Sequence, residues 1–402
     1  MKIRLHRIHS TLPIKKEVIK EDNELLNEIN EHLENDDLFI TEDADVDDMD
    51  IVFVETGGSE EAFKKIFNTL KAPIVLLSSS KNNSLASCFE IRSYALKNKK
   101  QALIALGEIE EITNVIRHLA KIFKAKHEIH GSRLGVIGKP SDWLIYSQVD
   151  YSEVSRKYGI GLIDIPMEEF FEEIELKKHS RVRHLEDIKK KAKNEKTLEM
   201  ALNIYGALKR LIIRYNLDGL TVRCFDLLDK YKNTSCLALA LLNEEGYVAT
   251  CEGDIPAMLT MFMLNKINGF STFQANPSYI FFQKRQVLFA HCTVPFDMVS
   301  SYELDTHFES GLGIGIRGQL NTGRCTIYKI SSDLKHYLAI DGNIVKNENR
   351  KEYCRTQILV ELQPNDLIEF IEGEFGNHVI ISYEDNTADF MSLMSLYEED
   401  KD

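Results

Sequence analysis

Two carboxylates stand on either side of a glycine in the segment Cys251-Glu-Gly-Asp254. The apolar residues before this segment predict a short buried strand, and the apolar run from Ile255 predicts a buried helix. Reactive groups of α/β enzymes tend to lie at the carboxyl ends of strands, so we expect Glu252 to act as a ligand or a base. Asp254 has a structural alternative, because an aspartate at the start of a helix caps free backbone N–H groups.

Three later segments offer groups that suit the same chemistry. Asn276 lies in Phe273-Gln-Ala-Asn-Pro, His291 in Ala-His-Cys-Thr-Val-Pro295, and His378 in Gly376-Asn-His-Val. Oxygen donors combined with histidine suit a divalent cation such as manganese, whereas thiolate clusters would favour zinc. Together with Glu252, these segments predict a divalent-metal site. For His291 a hydrogen-bonded core histidine is the alternative, since it ends an apolar run.

The motif Cys251-Glu-Gly-Asp, followed by Ala257-Met-Leu-Thr-Met, resembles the metal-binding motif of the L-fucose isomerase and L-arabinose isomerase superfamily. The resemblance is closest to its fucose isomerase-like branch. It runs in order from about Gly131 to the C-terminus and is carried by further landmarks: Pro140-Ser-Asp-Trp-Leu144, Gly219-Leu-Thr-Val-Arg-Cys-Phe225, Ala290-His-Cys-Thr-Val-Pro295, Thr306-His-Phe-Glu-Ser-Gly311 and Cys354-Arg-Thr-Gln357.

The resemblance implies a manganese-dependent aldose-ketose isomerase that acts on a fucose-like, arabinose-like or modified hexose sugar through an ene-diol. Such a reaction needs a base that moves a carbon-bound proton between C1 and C2, and a Lewis acid that holds O1 and O2. The resemblance implies metal binding by Glu252, Asn276 and His378. It implies acid or base roles among Glu252, Asp254 and Asn276, and it places His291 in the site as a ligand or a sugar-hydroxyl partner.

We expect the sugar to contact His291, His307, Arg223 and Trp143. Each of the last three has a second interpretation. Trp143 could stack on a sugar or serve as a core indole. His307 could touch the substrate or shape the turn before Gly311. Arg223 could bind an anionic group at the far end of a sugar or form an ordinary ion pair.

Asn276 departs from the family pattern, because it stands where a second acidic ligand is usual. Asn377 likewise stands where a pair of histidines is common. An asparagine can coordinate a cation through its carbonyl oxygen but cannot serve as a carboxylate base. A non-catalytic or regulatory sugar-binding protein of the same fold is therefore the alternative hypothesis, and a metal-dependent hydrolase or lyase is the third.

The composition of the 402-residue chain limits the function classes. A hydrophobic fraction of 44% with 28% charged residues is typical of a globular protein with two or three domains. The net charge of −14 argues against a nucleic-acid partner. Seven cysteines without a Cys-x-x-Cys pair predict reduced thiols and a cytoplasmic location. We expect no membrane partner, since no apolar run approaches the ~18 residues of a membrane span. The resemblance also implies a homo-oligomer, trimeric or hexameric.

Alternating strand-like and helical stretches predict an α/β fold with two Rossmann-like, doubly wound domains. The N-terminal domain is predicted at residues 1–130, and the central domain, which carries Glu252, at residues 131–283. The expected elements of the first are strands at Lys2–Ile8, Ile51–Val54, Pro73–Leu77 and Ala102–Leu106 with helices at Glu21–Leu33 and Glu60–Leu70. Those of the second are strands at Leu134–Gly138, Gly161–Ile165, Gly219–Arg223, Leu237–Leu241 and Val248–Cys251.

Shorter β-rich runs follow Gln283 and predict a mostly antiparallel barrel or sandwich over residues 284–402, closed by a helix at Asn386–Tyr397. The expected strands are Val287–Ala290, Gly313–Gly318, Cys325–Ile330, Tyr337–Ile340, Ile358–Leu362 and Val379–Tyr383. The resemblance implies that this C-terminal domain, which also carries His291, delivers His378 to Glu252.

Overall fold

The computed structural model describes residues 1–11, 16–42, 49–79, 81–179 and 181–399. Backbone contacts divide the chain into two compact units. The first consists of Met1–His127 together with the C-terminal stretch from Ser392, and the second of Glu128–Met391. Among the described residues, no helix combines the length and the apolar character that crossing a bilayer requires.

The first unit contains a parallel five-stranded sheet in the order β2-β1-β3-β4-β5. Every residue of β3 and β4 is buried, as is typical of parallel strands covered by helices on both faces. The elements are β1 (Lys2–Ile8), α1 (Lys16–Leu33), β2 (Phe39–Thr41), β3 (Asp50–Val54), α2 (Glu60–Ile66), β4 (Ile74–Ser78), α3 (Ser84–Lys97), β5 (Ala102–Ala105) and α4 (Ile109–Ile129).

The second unit opens with a parallel four-stranded sheet in the order β7-β6-β8-β9. Its elements are β6 (Arg133–Ile137), α5 (Tyr151–Tyr158), β7 (Gly161–Ile165), α6 (Met167–Glu175), α7 (Leu185–Lys191), α8 (Glu195–Tyr215), β8 (Gly219–Val222), α9 (Asp226–Tyr231), α10 (Cys236–Glu244), β9 (Val248–Cys251) and α11 (Ile255–Asn268).

The predicted strand Leu237–Leu241 is wrong, because these residues form the middle of α10. All five are buried, and a short run that is apolar throughout does not distinguish a buried strand from a buried helix. The run consists of leucine and alanine alone, which are strong helix formers and lack the β-branched residues that favour strands.

A closed antiparallel barrel follows, with the strand order β10-β11-β16-β15-β14-β17 and with β17 pairing back to β10. Strands β12 and β13 form a separate hairpin. The elements are β10 (Phe273–Phe281), β11 (Gln286–His291), β12 (Val299–Asp305), β13 (Gly315–Leu320), β14 (Gly323–Ile330), β15 (Tyr337–Asn347), β16 (Thr356–Leu362), α12 (Pro364–Glu372), β17 (Val379–Ser382) and α13 (Thr387–Glu399).

The predicted parallel sheets and antiparallel barrel are confirmed, and the barrel decides against a sandwich. The first barrel strand begins at Phe273, inside the range that the sequence assigned to the central domain. Helix α12 was not predicted. The division into three domains stays a prediction.

Helix α11 connects the two layers of the second unit. It packs against β8 and β9 of the parallel sheet and also against β14 and β17 of the barrel. Its hydroxyl-bearing Thr260 accepts a hydrogen bond from the backbone N–H of Ile330 in β14, at 2.9 Å. The residues that precede α11 are thereby held close to the barrel.

Candidate active site

Glu252 occupies a tight turn between β9 and α11. Its φ of +65° and that of Gly253, +71°, lie in the left-handed region, which costs free energy for a residue other than glycine. Backbone hydrogen bonds hold this turn, from Gly253 N–H to Val222 O at 3.0 Å and from Ser141 N–H to Glu252 O at 3.0 Å. A Cβ on Gly253 would meet Lys139 O at 2.5 Å. The turn therefore requires glycine at position 253, because the loop that carries Lys139 lies directly against it.

Asp254 caps helix α11 and also contacts His378 and Lys329. Its Oδ1 accepts from the N–H of Ala257 at 2.8 Å, as the structural interpretation expects. Its Oδ2 lies 2.8 Å from Nδ1 of His378, and both oxygens lie 3.4 Å from Nζ of Lys329. Asp254, His378 and Lys329 are all fully buried. Asp254 therefore orients His378 from behind.

Three adjacent barrel strands bring the remaining groups together. Strand β10 lies between β11 and β17, with Asn276 opposite Ala290 and Ala275 opposite Val379. His291 follows Ala290, and His378 precedes Val379. The three residues therefore lie at neighbouring positions of adjacent strands.

Glu252, His291 and His378 form a buried cluster in which one ligand atom from each lies within 4.8 Å of the others. Oε1 of Glu252 stands 3.5 Å from Nε2 of His378, and Oε2 accepts from Nε1 of Trp143 at 2.7 Å. Nε2 of His378 and Oδ1 of Asn276 are buried without a hydrogen-bond partner. Buried polar atoms are nearly always satisfied, so two such atoms beside one carboxylate indicate a place for a ligand.

The charges of this cluster depend on one another. Burial alone would lower the pKa of His378, but the negative charge of Glu252 and the hydrogen bond to Asp254 outweigh it and raise that pKa to about 9. Burial likewise opposes ionisation of Glu252, yet the charge of His378 lowers the pKa of Glu252 to about 2. Without a bound cation, the proton on His378 therefore balances Glu252.

His291, the second histidine of the cluster, is neutral, whereas His378 is protonated. Burial lowers the pKa of His291 to about 4, and the positive charge of His378 acts in the same direction. Its Nδ1 lies 2.9 Å from the hydroxyl of Thr293. His291 is therefore neutral near pH 7 and has a lone pair to offer a cation.

Asp254 stays ionised despite complete burial. Burial opposes its charge, but Lys329 and His378 together lower the pKa of Asp254 to about 2. The charge of Lys329 offsets part of the electrostatic cost of burying a carboxylate behind His378.

A small cavity of about 40 Å³ leads to the cluster. Glu252, Asn276, His291 and His307 line it, and Asp254 does not. The other lining residues are Cys224, Phe225, Leu228, Thr234, Cys236, Cys251, Cys292, Glu309 and Cys354. All seven cysteines of the chain are free thiols, so five thiols face this cavity.

Aromatic rings form one side of the site. The ring of Phe225 meets Trp143 edge to face at 4.7 Å and His307 at 5.4 Å between centroids. Trp143 is half exposed and donates from Nε1 to Glu252, so it is not a core indole, and its stacking on a sugar stays a prediction. Arg223 does not line the cavity. It pairs with Asp142 at 2.7 Å and thereby steadies the loop that carries Trp143.

Sequence reasoning missed two residues of this region. Lys329 is fully buried and pairs with Asp254. A signal for it existed, because a lysine within the otherwise apolar strand Cys325–Ile330 needs a partner. Glu309 lies in a segment that carries the family resemblance and lines the cavity, but the sequence alone gave it no role.

No protein-family model matches the chain. It is 24% identical over 297 residues to the sulfoquinovose isomerase of Priestia megaterium, and this match covers 69% of the chain and 64% of that protein. It is 20% identical over 305 residues to the sulfoquinovose isomerase of Alkalicoccus urumqiensis, covering 69% of the chain and 66% of the relative. The sulfoquinovose isomerase of Clostridium sp. strain MSTE9 is 20% identical over 363 residues, 82% of the chain and 78% of the relative.

The chain thus spans just under two thirds of the Priestia relative that it matches. These similarities support the expected likeness to sugar isomerases. Membership of the L-fucose isomerase superfamily stays a prediction.

Proposed function

We propose that the protein is a metal-dependent aldose-ketose isomerase that acts on a monosaccharide. The observation that carries the proposal is the buried group of Glu252, His291 and His378, in which Nε2 of His378 has no hydrogen-bond partner. Glu252 and His291 line a cavity together with Asn276, whose Oδ1 is likewise unpartnered. The similarity to sulfoquinovose isomerases supports the reaction class.

The donor set fits a divalent cation. It consists of one carboxylate, two imidazoles and one amide oxygen, and such mixed oxygen and nitrogen sets suit manganese among the divalent ions. A cation bound there would act as a Lewis acid toward the oxygens at C1 and C2 of an open-chain sugar. We assign Glu252, His291, His378 and Asn276 as the ligands.

The surrounding residues give each ligand its orientation. Asp254 accepts from Nδ1 of His378, which leaves Nε2 directed toward Glu252. Trp143 fixes the Glu252 carboxylate, and Thr293 fixes the ring of His291. Partners behind metal ligands commonly set the ring orientation and basicity of histidine in this way. Asp254 is in our proposal a positioning residue, not an acid or base that touches the sugar.

The substrate is in our proposal a modified hexose. Sulfoquinovose, a hexose with a sulfonate group, is the first candidate because of the names of the relatives. Thr234, Asn276 and His307 offer polar groups to sugar hydroxyls, and Phe225 offers an apolar face. Polar groups set among apolar ones are the usual composition of a small-molecule site.

The test combines metal binding with turnover. Purified protein is titrated with Mn²⁺ by calorimetry and then incubated in D₂O with sulfoquinovose, L-fucose, L-arabinose and D-glucose. We expect one bound cation per chain, and ketose formation with deuterium incorporation on at least one sugar. Glu252→Gln should lose both, whereas Glu352→Gln, which changes an exposed glutamate, should retain both. Metal-loaded protein without exchange on any of these sugars would reject the proposal.

A second candidate function is sugar binding without turnover. The observation in its favour is Asn276, whose amide lines the cavity where the resemblance implies an acid. Tight binding of a sugar by metal-loaded protein, with no deuterium incorporation, would establish this alternative.

Two further expectations stay predictions. One is a homo-oligomer of trimeric or hexameric symmetry, which sedimentation would reveal. The other is a cytoplasmic location, which the seven free thiols support because reducing compartments keep cysteines in that state.

A further inference from the structure

A second cavity of the second unit is lined by the start of α8, the residue after α9 and the connection between β12 and β13. Its volume is about 260 Å³, close to the lower end of the range of small-molecule sites, which is about 300 Å³. The polar side chains of its lining are Lys193, Asn194, Thr197, Lys232, Asp305 and Thr306. We call this cavity the lysine pocket.

The lysine pocket carries more positive than negative charge. Its single carboxylate, Asp305, already accepts from Nη2 of Arg317 at 2.8 Å and lies 3.8 Å from Nε of Arg355. Nζ of Lys193 donates to the same carboxylate at 3.0 Å, so three cations share it, and Lys232 is a fourth. This excess is local, since the chain as a whole has a net charge of −14. The carboxylates nearest to the lining in sequence do not line the pocket: Glu195, Glu303 and Glu309.

Lys232 has a backbone conformation that lysine seldom adopts. It follows α9 with a φ of +53°, in the left-handed region, and its N–H donates to Leu228 O at 3.1 Å. Glycine is the usual residue at such a helix end, because other side chains cost free energy there. Strain of this kind is often retained where the side chain has a function. Within the part of the chain that the structure describes, Lys232 has no ion-pair partner to neutralise it.

Uncharged hydrogen-bond donors line the pocket together with the lysines. Oδ1 of Asn194 accepts from the N–H of Thr197 at 3.0 Å, so the two hydrogens on its Nδ2 are left for another acceptor. The hydroxyl of Thr306 accepts from Nη2 of Arg355 at 3.1 Å and keeps its own hydrogen to donate. Ammonium groups combined with amide and hydroxyl donors suit an anion that has several oxygens, because charge-assisted hydrogen bonds are the strong ones.

The lysine pocket and the proposed active-site cavity share a wall. Thr234 lines the active-site cavity, whereas Gly313 and Ile314 line the lysine pocket. A Cβ on Gly313 would meet Thr234 N at 2.8 Å, and the hydroxyl of Thr234 donates to Ile314 O at 3.2 Å. Thr306 and His307 are consecutive residues, of which the first lines the lysine pocket and the second the active-site cavity. A molecule in the lysine pocket would therefore contact the segment that carries His307.

We propose that the lysine pocket binds an oxyanion, either a free inorganic ion or a phosphate, sulfate or sulfonate group of a small molecule. Lys193 and Lys232 supply the charge, and the Asn194 amide and the Thr306 hydroxyl supply further donors to the anion oxygens. The single carboxylate of the lining is already paired with Arg317. The site does not depend on the proposed isomerase function, because its lining shares no residue with that of the active-site cavity.

The experiment titrates the full chain by calorimetry at constant ionic strength, without sugar or added metal. The probes are inorganic phosphate, inorganic sulfate, methanesulfonate and glycerol 3-phosphate, and we expect one saturable site per chain. Lys193→Gln and Lys232→Gln should each weaken binding about tenfold, the usual contribution of a hydrogen bond to a charged group. Lys232→Arg should keep most of the affinity because it restores the charge. Tighter binding of glycerol 3-phosphate than of phosphate would identify an organic carrier, and equal affinities would identify a free ion.

The control is Lys189→Gln, which changes an exposed lysine of α7 outside the lining and should keep full affinity. Lys189 pairs with Glu186 at 3.2 Å, much as Lys193 pairs with Asp305. All three lysines are exposed, so the variants should keep the melting temperature of the unchanged protein.

Absence of saturable binding by every probe would overturn the proposal. Affinity that is equal in Lys193→Gln, Lys232→Gln and the unchanged protein would also overturn it, because the anion would then bind elsewhere. Either result leaves the isomerase proposal standing, and a failure to isomerise sugars leaves the lysine pocket standing.

Discussion

The chain buries a carboxylate beside a histidine in two regions, and the two regions differ in whether their buried polar atoms all have hydrogen-bond partners. In the first unit, Asp50 at the start of β3 is fully buried. Its Oδ1 accepts from Arg4 at 2.6 Å and contacts His6 at 2.9 Å, while its Oδ2 accepts from Arg4 at 2.9 Å and from Lys71 N–H at 2.8 Å. Both oxygens are satisfied by the chain itself.

The cluster around Glu252 in the second unit is not closed in this way. Nε2 of His378 and Oδ1 of Asn276 remain without hydrogen-bond partners, and Asn276 lines a cavity together with Glu252 and His291. Both the ion pair of Asp50 and the proposed metal site contain buried charges, so burial and charge do not distinguish them. They differ in their hydrogen bonds, which are complete at Asp50 and incomplete at the proposed ligands. Asp50 therefore stabilises the fold, whereas the proposed ligands have atoms free to bind a cation.

Replacing a histidine in each region should give the largest contrast. His378→Ala removes a proposed ligand and should weaken Mn²⁺ binding at least about 100-fold, since partners behind ligands already contribute about 10- to 100-fold. His6→Ala should leave the Mn²⁺ affinity unchanged because Asp50 keeps its other donors. Calorimetric titration measures both. Equal Mn²⁺ affinity in His378→Ala and the unchanged protein would contradict the assignment of His378 as a ligand.

Replacing an aspartate in each region should separate metal binding from stability. Asp254→Asn removes the acceptor behind His378 and should weaken Mn²⁺ binding about 10- to 100-fold. It also leaves Lys329 buried without its partner, which should cost about 3–5 kcal/mol of unfolding free energy. Asp254→Asn combined with Lys329→Met should recover stability but not affinity. Asp50→Asn should lower stability and leave the affinity unchanged, as denaturant unfolding and calorimetry would show.

Metal binding should depend on pH through His378. Its pKa is raised to about 9, so below that pH a cation must displace a proton from the imidazole. The Mn²⁺ affinity should therefore rise with pH, by up to about tenfold per unit, and level off near pH 9. At pH 7.5 the binding heat should vary with the ionisation enthalpy of the buffer and indicate release of about one proton. Affinity that does not change between pH 6 and 9 would contradict this account of His378.

The two regions should also limit the stability of the metal-free protein at opposite ends of the pH range. The pKa of Asp50 is lowered from 3.8 to about 2, so its contribution is present above pH 4 and is lost as the pH falls through 2. The pKa of His378 is raised from 6.5 to about 9, so its contribution is present below pH 6.5 and is lost as the pH rises through 9. The melting temperature of Asp50→Asn should change less with pH in acid than that of the unchanged protein. The melting temperature of His378→Gln should change less with pH in alkali.

The sequence predicted most of the elements because their burial is regular. Strand β1 was predicted at its observed limits, Lys2–Ile8, and the buried β3 and β4 were each placed within one residue. Leu237–Leu241 failed because a run that is apolar throughout carries no period. Strand β10 was not assigned to the barrel, since Pro277 interrupts its pattern and the register shifts next to it.

The chemistry of the site was easier to predict than its geometry. Residue types together with the family resemblance pointed to Glu252, His291 and His378, because carboxylate and imidazole are donors that divalent cations use. Their proximity depends on the pairing of β10 with both β11 and β17, which no local pattern specifies. The strand around Lys329 indicated that this lysine needs a partner, but no local pattern identifies that partner as Asp254. The position of Glu309 at the cavity depends likewise on the folded chain.

Anomalous diffraction from crystals of the protein grown with Mn²⁺ would locate the cation directly. We expect one anomalous peak per chain within bonding distance of Glu252, His291 and His378, and none beside Asp50. A peak bound elsewhere, or fully loaded crystals in which these three side chains have no peak between them, would contradict this expectation.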